Sequence, residues 1–272
     1  MVFTYFFYHL HASGDLAKYI NMKYEYVSSI AIVLFALLTI VQISNVAKNS
    51  EAVHDCGHTH EHEKDKPFFR RIFYYGIFIF PLVTGLFFPI ATLDSTIVKS
   101  KGFSFQAIDD LSGTDPYAQT QYLRPDTSVY YGKEGYDELM AEELKKYESK
   151  ESIALADETF LKGMETIYQF PGEFLNKTIE FDGFTFRGEE LNKKQLFVLR
   201  FGIIHCIADS GAFGMLVEFP EEMEFKDDEW IHVKGTLSSI YYQPFKAKIP
   251  YLLITDWYRI DEPKDPYTYR SY

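Results

Sequence analysis

The chain has 272 residues, with 27 Lys+Arg against 39 Asp+Glu and a formal net charge of −12 at pH 7. That balance argues against a protein that holds duplex nucleic acid by neutralising phosphates. Two cysteines, Cys56 and Cys206, are too few for a disulfide-stapled scaffold, and a composition that is 47% hydrophobic and 18% aromatic buries enough surface to exclude a disordered chain.

The N-terminal stretch Val2 to Leu10 (VFTYFFYHL) is apolar and aromatic but too short to span a membrane, and it lacks the basic start and cleavage site of a secretory signal. It is either the tail of a spanning helix or an aromatic segment at the membrane interface. Two uncharged runs follow, hidden by a mean hydropathy of only −0.16. Val27 to Val46 (VSSIAIVLFALLTIVQISNV) holds 20 residues without a charge, and about 20 residues of helix cross a hydrocarbon core of about 30 Å. Ile72 to Leu93 (IFYYGIFIFPLVTGLFFPIATL) is equally uncharged, between the pair Arg70–Arg71 and Asp94. Both predict spanning helices. The second carries Gly76, Pro81, Gly85 and Pro89, which are tolerated in lipid when neighbours re-satisfy the freed backbone groups. Contact with a partner protein and a simple kinked anchor both fit.

The loop between the two runs holds Lys48, Lys64, Lys66, Arg70 and Arg71, against Lys18, Lys23, Lys99 and Lys101 on the other side. The excess marks the loop as cytoplasmic and puts everything after Asp94 outside the cell. From Lys99 onward there are 20 Lys+Arg and 31 Asp+Glu, so nearly all the net charge lies in that exterior part.

Residues 1–98 therefore read as a membrane portion with a His-rich loop at 51–66, and 99–135 as an irregular linker rich in turn formers. Residues 136–170 contain two helical patterns, the second with Asp157 as a candidate N-cap. From 171 to 263 the period becomes strand-like, and 264–272 form a tail. Five strand candidates (KTIEFDGFTFRG, QLFVLRFGIIHCIAD, FGMLVEF, EWIHVKGTLSSIYY and PYLLITDWYRID) suit a small barrel of OB type. Gly235 ends an alternating run where such a strand would bend. The expected fold is membrane-anchored α+β: two to three transmembrane helices, a small helical segment and a five-stranded OB-like β-barrel.

The loop packs His54, Cys56, His58, His60 and His62 into nine residues and holds half of the chain's eight histidines. Imidazole and thiolate are the ligands zinc prefers, and four fill a tetrahedral shell. In an extended chain His58, His60 and His62 lie about 6.8 Å apart, so the loop must curl to share an ion. The spacing matches no structural zinc finger. It fits an exchangeable metal site, or a solvated linker that binds metal adventitiously. A second cluster, Arg200 to Ser210 (RFGIIHCIADS), holds His205, Cys206 and Asp209. The cluster invites a thiolate nucleophile or a metal site, but strand alternation would put His205 and Cys206 on opposite faces, where they cannot share one ion; Cys206 reads rather as a buried small hydrophobe and Asp209 as a turn residue bonding local amides. His232 reads as a surface or rim residue. The phosphate-binding glycine loop, GxSxG elbow and HExxH helix are missing from the sequence, and an enzyme is not expected.

The residues Leu93 to Gly102 (LDSTIVKSKG), Ser13 to Leu16 (SGDL) with Lys18 to Asn21 (KYIN), the His-rich loop, and Arg200 to Asp209 together resemble the YcgQ family of bacterial membrane proteins over almost the whole chain. The resemblance implies the smaller subunit of a two-component permease, beside a larger multi-helix permease subunit, with zinc-responsive regulation in some members. Members usually begin with a full first spanning helix and often carry two cysteines where this chain has His205–Cys206. Two or three helices are too few to enclose a selective pathway, and none carries a central ionisable residue. The expected role is an accessory subunit whose loop handles zinc. A stand-alone membrane metal buffer or sensor, and a scaffold whose barrel binds an extracellular polymer or peptide, are the competing readings.

Overall fold

The computed structural model describes residues 2–51, 68–88, 92–101, 133–188, 191–245 and 247–270. They form two compact units, Met1–Thr92 and Leu93–Tyr272.

The first unit is helical. Helix α1 (Val2–Ser13) has 12 residues, about 18 Å of rise and short of a bilayer core. Short 3₁₀ turns at Asp15–Lys18 and Met22–Tyr24 reverse the chain. The second is capped by the Asn21 side chain, which accepts from the Lys23 amide at 3.1 Å, and leads into α2 (Glu25–Glu51). The stretch Met22–Ala47, 26 residues with a mean hydropathy of 2.3, is the one helix among the described residues long and apolar enough to cross a membrane. Phe3 and Phe7 of α1 stack on Phe35 of α2 with centroids 5.5 and 6.0 Å apart. His11 Nε2 meets Ser28 Oγ at 2.8 Å. Helix α3 (Phe68–Phe87) starts earlier and stops sooner than the expected run of 72–93, and it continues through Pro81. In α3, Gly85 lets the Phe6 ring approach so closely that a Cβ there would touch it at 3.1 Å.

The second unit opens with α4 (Ser95–Lys101) and continues through α5 (Lys133–Lys145), β1 (Ser152–Leu155), α6 (Asp157–Gln169) and α7 (Pro171–Phe174). Six strands complete it: β2 (Thr178–Phe186), β3 (Gln195–Ile203), β4 (Gly211–Glu218), β5 (Trp230–Tyr242), β6 (Ala247–Arg259) and β7 (Tyr267–Tyr269). They form one mixed seven-stranded sheet, not the five strands expected. The two extra strands are short and both pair in parallel: β1 with β2, and β7 with β3. Short parallel edge pieces leave no alternation to read. The residues expected to be a tail are thus partly built into the sheet.

Pairing of the five longer strands returns to its start. β2 pairs antiparallel with both β3 and β5, β3 with β4, β5 with β6, and the parallel pair β4–β6 completes the circuit. The register of β5 against β6 shifts at Lys234/Gly235, where a Cβ on Gly235 would collide with the Leu253 carbonyl. A register irregularity thus falls at the glycine where a bend was expected.

All nine residues of β3 are buried, because the sheet is covered on both faces. On one side Val198, Met215, Ile231 and Leu252 pack with Phe160 and Met164 of α6. On the other, Leu199, Phe201 and Leu216 pack with Val98 of α4 and Tyr267 of β7. Helix α4 is pinned there: Ser95 donates from N and Oγ to the Asp228 carboxylate at 2.8 and 2.6 Å, and Leu93 N donates to the Tyr267 hydroxyl at 2.8 Å. Lys99 reaches Asp227 at 2.5 Å, a bond that raises the lysine pKa.

Two arginines hold α6. Its N-cap is Ala156, not Asp157 as expected. Asp157 takes the first helical position, where a negative charge favours the helix dipole, and pairs with Arg200 of β3. The Arg200 guanidinium also lies over the rings of Phe160 and Trp230, 5.6 and 5.7 Å from their centroids. Further along, Arg270 pairs with Glu165, both fully buried. Removing one partner of a buried pair strands the other charge, at a cost of about 3–5 kcal/mol, whereas replacing both is often tolerated. Arg270→Met should therefore lower the unfolding free energy of the full-length protein in urea by that amount. Arg270→Met combined with Glu165→Leu should recover most of the loss.

Candidate functional site

The five candidate metal ligands His54, Cys56, His58, His60 and His62 lie outside the described residues. Among the described residues no group of three or more His, Cys, Asp or Glu side chains is placed to hold an ion.

The second cluster is described, and its geometry corrects the sequence reading. Strand β3 ends at Ile203, residues 204 and 205 form a bend and Cys206 is an isolated bridge residue, so the continuous alternation that would separate His205 from Cys206 does not operate. A 3₁₀ turn, Ile207–Asp209, follows, organised by the Asp209 carboxylate. Oδ1 accepts from the Cys206 amide at 2.9 Å, both oxygens accept from the His205 amide at 3.1 Å, and Oδ2 meets His205 Nδ1 at 2.8 Å. A carboxylate only accepts, so the ring proton sits on Nδ1. Cys206 Sγ accepts from the Asp209 amide in return. The turn role expected of Asp209 is correct. Cys206, expected to be buried, is a free thiol of intermediate exposure. These bonds hold the β3–β4 connection.

His232 has partners that the sequence did not disclose. The register β2–β5–β6 aligns Asp182, His232 and Tyr258 in one row. His232 Nδ1 lies 2.6 Å from Asp182 Oδ1, and its ring stacks on Tyr258 with centroids 4.7 Å apart. The neighbouring row pairs Lys234 with Glu180 at 2.8 Å, which raises the lysine pKa. Only the pairing of β2 with β5 makes these contacts legible. At the end of α6, burial pushes up the pKa of Tyr168, whose hydroxyl donates to the Gly214 carbonyl and accepts from the Gly214 amide at 3.0 Å. Its role is structural, since it satisfies a glycine whose φ of 156° no other residue readily adopts.

One helix apolar and long enough to cross a membrane, together with a mixed seven-stranded sheet, defines an α+β protein with a candidate membrane anchor. Comparison with known proteins specifies it further: the chain belongs to the DUF1980 family, matching its N-terminal domain over residues 1–104 and its C-terminal domain over 130–270. A relative from Bacillus subtilis strain 168, "UPF0703 protein YcgQ", is 61% identical over 284 aligned residues, covering 100% of this chain and 98% of the relative. A second, from Streptococcus mutans UA159, is 37% identical over 97% of this chain and 94% of its own length. It bears the name "Putative two-component membrane permease complex subunit". These names point away from an enzyme. Among solved structures, the N-terminal domain of PriB from Thermoanaerobacter tencongensis aligns with 16% identity over 32% of this chain and 98% of its own. Its TM-score of 0.22 is too low to carry an argument.

The β3–β4 connection generates one prediction. With Cys56→Ser in the background, Asp209→Ala should make Cys206 react with a thiol reagent roughly tenfold faster, because about 1–1.5 kcal/mol of local protection is lost with the carboxylate. An unchanged labelling rate would show that Asp209 does not hold this turn.

Proposed function

We propose that this chain is the accessory membrane subunit of a two-component permease, packed against a larger multi-helix subunit. The observation that carries the reading is the pairing of an exposed spanning helix with a relative named as a permease complex subunit. Helices α2 and α3 both cross the bilayer, making the chain multi-pass. Support for the second crossing is the 20-residue length of α3 and its uncharged sequence after Arg71. The basic excess of the intervening loop places that loop in the cytosol and the C-terminal unit outside. That unit is an OB-like barrel, a reading supported by the circuit β2–β3–β4–β6–β5–β2 with its single parallel closure.

The loop is a zinc site. Its donor set fits the metal, since His54, His58, His60 and His62 supply four imidazoles and Cys56 a thiolate. Bound zinc would supply a saturable signal or cargo position, held by side chains that must be deprotonated to bind. Glu51, Asp55, Glu61, Glu63 and Asp65 raise the local attraction for cations.

Two measurements test this. Gentle extraction from native membranes should yield the chain together with a polytopic membrane protein; recovery alone at every detergent condition would refute the subunit role. Replacing His54, Cys56, His58, His60 and His62 with Ser should weaken zinc affinity, measured by competition with a chelator dye, at least roughly a hundredfold, since losing only a hydrogen-bond partner of a metal ligand costs about 10–100-fold. An unchanged affinity would take the loop out of the account.

A further inference from the structure

We propose that His11 is a proton-operated latch that fastens α1 to the apolar helix α2, tight when the imidazole is charged and slack when it is neutral. This asks only that α2 lie in a bilayer and stands apart from the permease role. His11 sits in the last turn of α1, its side chain 17% exposed. Its Nε2 meets Ser28 Oγ at 2.8 Å, and its Nδ1 faces a Glu25 carboxylate oxygen at 3.4 Å. Both partners belong to the first turn of α2. Ser28 is buried, and its hydroxyl is placed to donate to the Glu25 carbonyl at 2.9 Å. Three residues beyond the ring the chain turns at Gly14, whose φ of 78° lies in the left-handed region that glycine adopts without strain.

The count of protons separates the two states. A serine hydroxyl has one proton, and a carboxylate has none to give. With the Ser28 proton on the Glu25 carbonyl, a neutral ring donates through Nε2 and turns the Nδ1 lone pair on the carboxylate. The other neutral tautomer donates from Nδ1 to Glu25 but draws the Ser28 proton off the carbonyl. Imidazolium donates from both nitrogens and keeps all three contacts, and histidine is the side chain that changes charge between pH 8 and 5. Among the described residues every polar contact between α1 and α2 involves His11, while Phe3 and Phe7 stack on Phe35 farther along. Apolar helices in lipid have no hydrophobic drive toward each other, so the polar contact weighs in where α1 sits. The other charges nearby are held elsewhere or exposed. Asp15 and Lys18 pair with each other at 2.8 Å, Lys23 is exposed two residues before Glu25, His9 is exposed and stacks on Tyr5, and α3 carries no charge after Arg71.

The test uses the full-length protein in lipid nanodiscs, with Cys56→Ser and Cys206→Ser in the background and spin labels at Tyr8→Cys on α1 and Ile30→Cys on α2, both exposed positions. The ratio of the docked distance to longer ones should be roughly fivefold higher at pH 5 than at pH 8, the gain from charge-assisted bonds beside a half-exposed carboxylate. His11→Gln, which cannot take up the proton, should give one ratio at both pH values, and His9→Gln should keep the full response. Glu25→Gln should shrink the response by at least half. Equal ratios at the two pH values with His11 in place would overturn the proposal. So would a response that survives His11→Gln, one that disappears with His9→Gln, or one that Glu25→Gln leaves untouched.

Discussion

The organising constraint in the C-terminal unit is that β3 is apolar on both faces, so its sheet must be covered twice. Helix α6 supplies one cover, and α4 together with β7 supplies the other. Because α4 and β7 come from the two ends of the unit and α6 from its middle, they need fixed attachment points. The ion pairs Arg200–Asp157 and Arg270–Glu165 hold α6, and the Asp228 carboxylate holds the start of α4. Of the two, the buried Arg270–Glu165 pair contributes little net free energy compared with an apolar replacement. Its effect is to select one docking position among several that would bury similar area.

How much of this was legible in the sequence follows from the range of the interactions. The five long strands were visible because each is alternating or continuously apolar over eight or more residues. The irregularity at Gly235 was visible because a glycine interrupts a clear period. The spanning run in α2 needed only composition. Strands β1 and β7 were not legible, being three or four residues long and defined wholly by their parallel neighbours. The same holds for the partners of Arg200 and Arg270, which lie 43 and 105 residues away.

Candidate chemistry divides in the same way. The role of Asp209 as a turn former is local and could be read directly. The opposite-face argument for His205 and Cys206 assumed that the strand continued to Asp209, and β3 ends at Ile203 instead. His232 looked solitary because Asp182 and Tyr258 come from two other strands. The density of imidazole between residues 54 and 62 is a compositional signal, and composition speaks to affinity for a metal more than to the geometry of its shell.

The attachment of α4 has a consequence for how the molecule is made. Leu93 and Ser95 find their hydrogen-bond partners 174 and 133 residues later in the chain, so the stretch synthesised just after the last apolar helix waits with Val98 uncovered until almost the entire unit has emerged. Closure over such separations is entropically slow. The nascent chain therefore passes through a long interval with bare apolar surface, which makes it dependent on holding factors and vulnerable to clumping whenever production outruns assembly.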